Sequence, residues 1–214
     1  MARNRRLRRS APAQIRWPGG EVLAATHSLN ARCMKLLAEV ASAPHAGDAW
    51  GAVFGFQELW KQLSTEACER AGRCPVLLLN VNLERADWWT SIRDGHTVVH
   101  ADASIPLLAA DRAAPLVREI LTEARSAARA QPGAARLVFG MSSFVSSAVA
   151  DLSAADIDRI AVAYGRELRP RWDDRPSFWK RLLEAAIGND ARVFAKIHLH
   201  CVQLLGRDLQ LANG

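Results

Sequence analysis

The feature that most constrains this fold is a sequence pattern that occurs twice. The tripeptide Val-Phe-Gly stands at residues 53–55 and again at 138–140, and Leu-Ser stands at 63–64 and again at 152–153. Both copies run in the same order: a long helix, a Pro/Gly break, a helix with Val-Phe-Gly, a Ser-capped helix, an extended run and an aromatic segment. The pattern predicts one helical unit used twice. Chance similarity between alanine-rich helices is the alternative.

Apolar periodicity and helix breakers indicate where the elements lie. Within residues 21–43 a seam of residues recurs every seven positions, which predicts a helix packed along another helix; its members are Val22, Thr26, Leu29, Cys33, Leu36 and Val40. The apolar run at 74–83 is bounded by a proline and a charged turn, so it predicts a strand. Extended backbone is expected at 166–172, and further helices at 111–130, 134–150, 153–164, 177–186 and 190–209.

These elements predict a mainly-α protein in which two tandem units form an intramolecular pseudo-dimer with short extended segments. We expect a basic flexible arm over residues 1–20 and a first, divergent copy over 21–92. Residues 93–110 lack helical periodicity until their end, so they are the expected linker. The second copy, with a C-terminal helix, then occupies 111–214.

The positive charge is concentrated at the N-terminus. The chain has 28 Lys and Arg against 22 Asp and Glu, a formal charge of +6. Arginine forks suit phosphate backbones, so the arm is a candidate nucleic-acid contact. A solubilising tail and an anionic membrane surface are the alternatives. Six arginines precede the first acidic residue: Arg3, Arg5, Arg6, Arg8, Arg9 and Arg16.

A second group of arginines surrounds the extended run of the second copy. Arg166, Arg169, Arg171 and Arg175 lie beside Trp172 and predict a surface for nucleic acid or an acidic partner. A charged edge strand that resists further strand pairing is the alternative. The acidic residues between these arginines favour a solvated ion-pair turn over a catalytic carboxylate pair.

Large aromatic residues occupy corresponding places in the two copies. Their rings would pack in a core or between the copies, because each carries a large apolar area. A partner-binding hot spot is the other interpretation. The candidate residues are Trp88, Trp89, Trp172, Phe178 and Trp179.

No stretch of the chain matches a nucleotide-binding, metalloprotease or hydrolase motif, so we expect no catalysis and no cofactor. The four cysteines lack zinc spacing and favour free thiols in a reducing cytoplasm. His198 and His200 are two apart on an expected helix and cannot easily share one metal, which favours core-edge histidines. No apolar run is long enough for a membrane span.

The second copy resembles FlhD, a subunit of the flagellar master transcription activator FlhDC. In that family a long helix ends in small residues and a hydrophobic-Gly-hydrophobic step. A Leu-Ser/Thr cap then opens a helix rich in Leu and Ala, and an extended Phe-Arg-Phe-Asp run precedes a helix with Ile-His. The order and spacing of the motifs carry the resemblance, over roughly residues 116–205 and more faintly 28–92. The matching features are residues 124–141, Leu152-Ser153, 157–161, Pro-Arg-Trp-Asp at 170–173, and Ile197-His198.

The resemblance implies a transcription regulator subunit that acts on promoter DNA with an FlhC-like partner. In that family the partner supplies most DNA contacts and the zinc-binding cysteines. RNA polymerase is a further candidate partner, and no membrane is expected. FlhD is a single short unit, and the cysteine that some FlhD proteins carry is Leu168 here, which excludes an inter-subunit disulfide at that place. A helical adaptor that does not bind DNA is the alternative function.

Overall fold

The computed structural model describes residues 19–42, 51–96 and 106–211. Across these ranges the regular structure is helical apart from one two-stranded sheet, so the mainly-α prediction is confirmed. The elements before residue 97 are α1 (Gly20–Ala41), α2 (Gly51–Phe54), α3 (Gln57–Lys61), α4 (Thr65–Gly72), β1 (Leu79–Asn80) and α5 (Ala86–Arg93).

The elements after residue 105 follow the same order and add one helix at the end. They are α6 (Ala110–Ala130), α7 (Pro132–Phe139), α8 (Ser143–Asp151), α9 (Ala154–Tyr164), a 3-10 turn (Gly165–Glu167), β2 (Arg169–Pro170), α10 (Pro176–Gly188) and α11 (Ala191–Leu211). The single helix expected over residues 134–150 is wrong. Gly140 ends α7 in the left-handed conformation, and the Ser142 hydroxyl begins α8 by accepting from the N–H of Val145.

The two Leu-Ser dipeptides mark helix starts. Ser64 accepts a hydrogen bond from the N–H of Ala67 at the start of α4. Ser153 accepts from the N–H of Asp156, whose carboxylate accepts in return from the N–H of Ser153. The pKa of Asp156 is lowered to about 2, first by the hydrogen bond from the Ser153 side chain and then by the one from the Ser153 backbone. Helix α9 therefore begins with a complete capping box.

The buried face of α1 is wider than the predicted heptad seam. Of the seam residues, Leu36 and Val40 are only half-buried. The helix packs on α3, α4, α6 and α7 at once, so a broad stripe is covered. At Gly72 an added Cβ would lie 2.7 Å from the backbone nitrogen of Ala31, so the missing side chain lets α4 approach α1 closely. The buried residues of α1 are Val22, Thr26, Leu29, Asn30, Cys33, Met34, Leu37 and Ala41.

The strand expected over residues 74–83 is wrong in extent, because only Leu79 and Asn80 pair with another strand. The rest of the run is buried loop, and the buried side chain of Asn30 takes the place of a neighbouring strand. Its Nδ2 donates to the carbonyl oxygens of Cys74 (3.2 Å) and Val76 (2.8 Å). Its Oδ1 accepts from the N–H of Leu78 at 2.8 Å. One amide thus satisfies three backbone groups that burial would leave unpaired.

The two strands pair in a register that a two-fold axis would produce. Leu79 lies opposite Pro170 and Asn80 lies opposite Arg169, antiparallel. Suppose that each residue of the first half corresponds to the residue 90 positions later. Leu79 then faces Pro170, the counterpart of its neighbour Asn80, and Asn80 faces Arg169, the counterpart of Leu79. The same spacing relates Asn82 and Trp172, which both have positive φ, the starts of α5 and α10, and Trp89 and Trp179. Descent of the halves from one duplicated unit stays a prediction.

In each half, the helix that follows the strand packs on the other half. Helix α10 packs on α3 and α4 of the first half, and α5 packs on α8 of the second. Trp179 of α10 lies 6.1 Å from Trp60 of α3, and Trp88 of α5 lies 5.0 Å from Tyr164 of α9, measured between ring centroids. The core is therefore continuous across the two halves.

Within the described ranges, no single helix is both long and apolar enough to cross a membrane. Helices α7 and α8 pass that test only as a pair, and they bend by 108° where they meet. Their apolar residues Phe139, Val145 and Val149 belong to the core.

Candidate functional site

The arginines predicted to contact nucleic acid fall into two groups. Arg3, Arg5, Arg6, Arg8, Arg9 and Arg16 lie outside the described residues, as does the stretch 97–105 of the expected linker. The other four surround β2, where the 3-10 turn, the strand and the start of α10 meet. The structure therefore places Arg166, Arg169, Arg171 and Arg175 near one another along the chain but in different surroundings.

Arg171 is a core residue, and its predicted role as a nucleic-acid contact is wrong. Its side chain is buried, with Nη2 donating to the carbonyl oxygen of Phe139 at 2.7 Å. Its N–H donates to the carbonyl of Leu78, and its carbonyl accepts from Nε1 of Trp179. Burial lowers the pKa of Arg171, while the carboxylates of Glu84 and Asp208 act in the opposite direction. The guanidinium therefore holds the end of α7 within the second half, while the backbone N–H of Arg171 joins the two halves through Leu78.

The remaining arginines form a smaller patch. Arg166 is exposed on the 3-10 turn, and Arg169 is half-buried on β2. Arg175 keeps about a third of its side chain exposed, with Nε 3.8 Å from the carboxylate of Asp174. Burial is the main cause of the raised pKa of the neighbouring Asp173. The patch that the described residues present thus has three cations with the carboxylates of Asp173 and Asp174 beside them.

The aromatic residues predicted as partner contacts are buried in the core, so that prediction is wrong and core packing accounts for them. Each is at most 7% exposed. Two of the indoles close the turns after the strands: Trp89 donates to the carbonyl of Asn82, and Trp179 to that of Arg171. Trp172 holds the last helix through a 2.7 Å hydrogen bond to Asp208. The set is Trp88, Trp89, Trp172, Phe178 and Trp179.

Helix α11 carries an apolar surface that the sequence analysis missed. Its inner face is formed by Ile197, Cys201, Leu204 and Leu205, which are buried. On the opposite face, Leu199 is 61% exposed and Val202 is 53% exposed. We call these two residues the outer pair. The signal was present in the sequence, because the helix has more large apolar residues than one face can bury.

A cavity of about 260 Å³ lies where α5 meets α8 and α9. Trp89, Ile92 and Ile160 form its apolar side. The guanidinium of Arg93 lies 5.1 Å above the ring of Phe144 at its edge. Helix α10, the counterpart of α5 in the other half, continues to Gly188, whereas α5 ends at Arg93. The cavity therefore lies beside the shorter of these two helices.

A second cavity of about 270 Å³ lies between the end of α4 and the start of α11. Arg70, Arg73 and His198 face it, and Phe194 provides an apolar wall. Across the described ranges, no group of three or more His, Cys, Asp and Glu residues is placed to hold a metal ion. This second cavity is therefore rich in nitrogen donors rather than in metal ligands.

Comparison with known proteins adds no relative. No protein-family model, curated protein or solved structure matches this chain. The likeness to FlhD therefore depends on the order and spacing of motifs alone, and membership of that family stays a prediction.

Proposed function

We propose that this chain is a cytoplasmic, non-catalytic subunit of a transcription regulator that acts on promoter DNA together with an FlhC-like partner. The order of the motifs from residue 124 to residue 173 supports the likeness to FlhD. A mainly-α architecture agrees with that likeness. RNA polymerase would be a further contact of an activator of this kind.

The observation that carries the need for a partner is the outer pair on α11. Leu199 and Val202 lie one turn apart on a helix whose other face is already buried. Two large apolar side chains at this spacing suit the groove-and-helix mode of recognition. Lys196 and Arg207 are exposed on the same helix, so the complementary partner segment would be an amphipathic helix with acidic flanks.

Direct DNA contact by this chain would be limited. Arg166, Arg169 and Arg175 are the cations around β2 that reach the surface at least in part. They could fix position on the phosphate backbone but would not read base edges by themselves. The arginines of the N-terminal arm would add phosphate contacts, and the partner would supply the sequence-specific ones.

One observation favours the second candidate function, a helical adaptor that does not bind DNA. Burial of Arg171 removes a cation from the predicted patch, and Asp174 lies beside Arg175. A weaker patch suits an adaptor as well as it suits a regulator that leaves DNA to its partner. Both candidate functions depend on a partner that binds the outer pair. Formation of the partner complex must therefore be tested before DNA binding.

The test is a mobility-shift assay on promoter DNA at low salt, with this chain, with an FlhC-like protein from a neighbouring gene, and with both. We expect a shift with the pair, and a lower complex yield for the double variant Leu199→Asp/Val202→Asp. Val162→Asp is the matched control, because Val162 is also exposed, at 71%, but lies on α9. Pair formation without any DNA shift would overturn the regulator in favour of the adaptor.

The N-terminal arm has its own test. Removing residues 1–16 should flatten the dependence of DNA affinity on salt, because fewer phosphates would be neutralised. An unchanged slope would show that the arm does not contact DNA.

A further inference from the structure

The cavity between α4 and α11 is lined by two arginines and a histidine from these two helices. Arg70 and Arg73 come from the C-terminal end of α4, and His198 comes from the second turn of α11. His27 on α1 lies within electrostatic reach of Arg73 and His198, as their effect on its pKa shows. Arg70, Arg73 and His198 thus line one space of about 270 Å³, and His27 lies behind this lining.

Counter-charge reaches this cluster from the α4 side, where the charge of Arg70 is one of the smaller causes of the lowered pKa of Glu66. After burial, the causes that lower the pKa of His27 are the charges of His198 and Arg73, and no carboxylate acts on it. Within the described ranges Arg73 has no acidic partner, while Arg70 uses Nε to donate to the carbonyl of Ala186 at 2.8 Å. Asp190 caps α11 instead, where its Oδ1 accepts from the N–H groups of Arg192 and Val193.

Both histidines have an unused ring nitrogen. The Nε2 atoms of His27 and His198 are buried and have no hydrogen-bond partner among the described residues. A buried polar atom without a partner costs free energy, and such atoms gather where a ligand completes the hydrogen bonding. The imidazole of His198 and the guanidiniums of Arg70 and Arg73 can together donate several charge-assisted hydrogen bonds to an anion in the cavity.

We propose that this cavity binds a small phosphate monoester. A phosphoryl group carries about −1.5 to −2 charges near pH 7 and three acceptor oxygens, which match arginine forks and an imidazole N–H donor. The cavity has room beyond one phosphate, and the Phe194 ring offers an apolar wall to the organic part of the ligand. The ligand would join α11 to α4. The proposal is independent of DNA binding.

Binding is measured on the full chain in a phosphate-free buffer, by calorimetry and by thermal unfolding. The probes are inorganic phosphate and glycerol 3-phosphate, with sodium chloride at matched ionic strength. We expect both phosphates to raise the unfolding temperature and the monoester to bind more tightly. Equal stabilisation by sodium chloride, or no heat with either phosphate, would overturn the proposal.

Matched variants locate the site. Arg73 is exposed, so Arg73→Gln should fold normally and weaken phosphate binding about tenfold, the loss expected for one charge-assisted contact. Lys196→Gln removes the same charge from an exposed position of α11 outside the cavity and should leave binding unchanged. Equal effects of the two variants would show non-specific attraction and would sink the proposal.

Sulfate gives a test of the histidines, because its charge does not change between about pH 6 and pH 8. The titratable or charged groups placed with His198 are Arg70 and Arg73, which line the same cavity, and His27, whose pKa the charge of His198 lowers. Sulfate should bind more tightly at the lower pH, where the histidines accept protons, and His198→Asn should reduce that pH dependence. A pH-independent affinity in the unmodified chain would contradict the role of the histidines.

Discussion

The guanidinium of Arg171 lies against Gly140, and its Nη2 donates a 2.7 Å hydrogen bond to the carbonyl oxygen of Phe139, the residue before that glycine. The contact joins the turn after β2 to the left-handed end of α7. An arginine that seemed to face solvent in the sequence therefore holds the core together.

Replacing this arginine should destabilise the fold. Arg171→Met leaves the Phe139 carbonyl without its donor, so we expect the free energy of unfolding to fall by about 1–3 kcal/mol. Urea unfolding measures the change. Arg166→Met, at an exposed position of the 3-10 turn, should stay within about 0.5 kcal/mol of the parent. A difference no larger for Arg171 than for Arg166 would contradict the structural role.

Gly140 cannot accept a side chain. Its φ is 71°, and an added Cβ would collide with the guanidinium nitrogens of Arg171. Gly140→Ala should therefore lower the free energy of unfolding by at least about 1 kcal/mol. Gly133→Ala is the control within the same helix, since no atom lies within 4 Å of its added Cβ. That control should be neutral or slightly stabilising, and a reversed order of the two variants would refute the argument.

Asn30 should be among the most sensitive polar residues of the chain. Asn30→Leu removes partners from the carbonyls of Cys74 and Val76 and from the N–H of Leu78. We expect a loss of at least about 2 kcal/mol in the free energy of unfolding, because several buried groups lose their bonds together. Ser28→Ala, on the exposed side of α1, is the comparison and should change little. Hydrogen exchange at Leu78 should also accelerate in the Asn30 variant; unchanged protection there would argue against this contact.

His27 and His198 predict a pH dependence of stability. Burial is the first cause of the lowered pKa of His27 and of His198, whose ordinary value is 6.5. Below that value the unfolded chain takes up protons that the folded chain resists, so the free energy of unfolding should fall as pH decreases from about 7.5 to about 5.5. Urea unfolding across that range measures it, in a buffer without phosphate. His27→Gln should flatten the profile, and an equally steep profile in the variant would assign the effect elsewhere.

The cysteines should be unreactive in the folded protein. All four are buried free thiols, and burial raises the pKa of Cys33 to about 12. The pKa of Cys201 is raised first by its hydrogen-bonding contact with the Cys74 thiol, with the sulfur atoms 3.0 Å apart, and then by burial. Since the thiolate is the nucleophile, a thiol reagent at about pH 8 should react slowly with native protein and fully in urea. Ser177→Cys, at an exposed position, should add one fast-reacting thiol; a fast phase without it would contradict the burial.

Most helices were within reach of the sequence because local signals determine them, but the break between α7 and α8 at Gly140 was missed. Ser153 with Asp156 gives a capping box, and Pro176 stands at the first turn of α10. The strand over residues 74–83 could not be predicted correctly from composition. A buried loop and a buried strand have the same apolar run, and the difference here depends on Asn30, far away in the chain.

The candidate sites were harder to predict, because burial depends on contacts between distant residues. Arg171 stands among charged neighbours in the sequence, and only its position beside Phe139 and Leu78 shows that it is a core residue. His27 and His198 are separated by most of the chain, so their convergence with Arg73 had no local signal. The outer pair could have been predicted from the sequence, because α11 has more large apolar residues than its inner face can bury.

Trp60 belongs to one half of the chain and Trp179 to the other, and their rings pack together in the core. A smaller ring on one side would leave a void that only a larger residue on the other side could fill. Substitutions at the two positions should therefore be accepted in pairs during evolution. Whatever the origin of the two halves, natural selection therefore acts on their shared core as one unit.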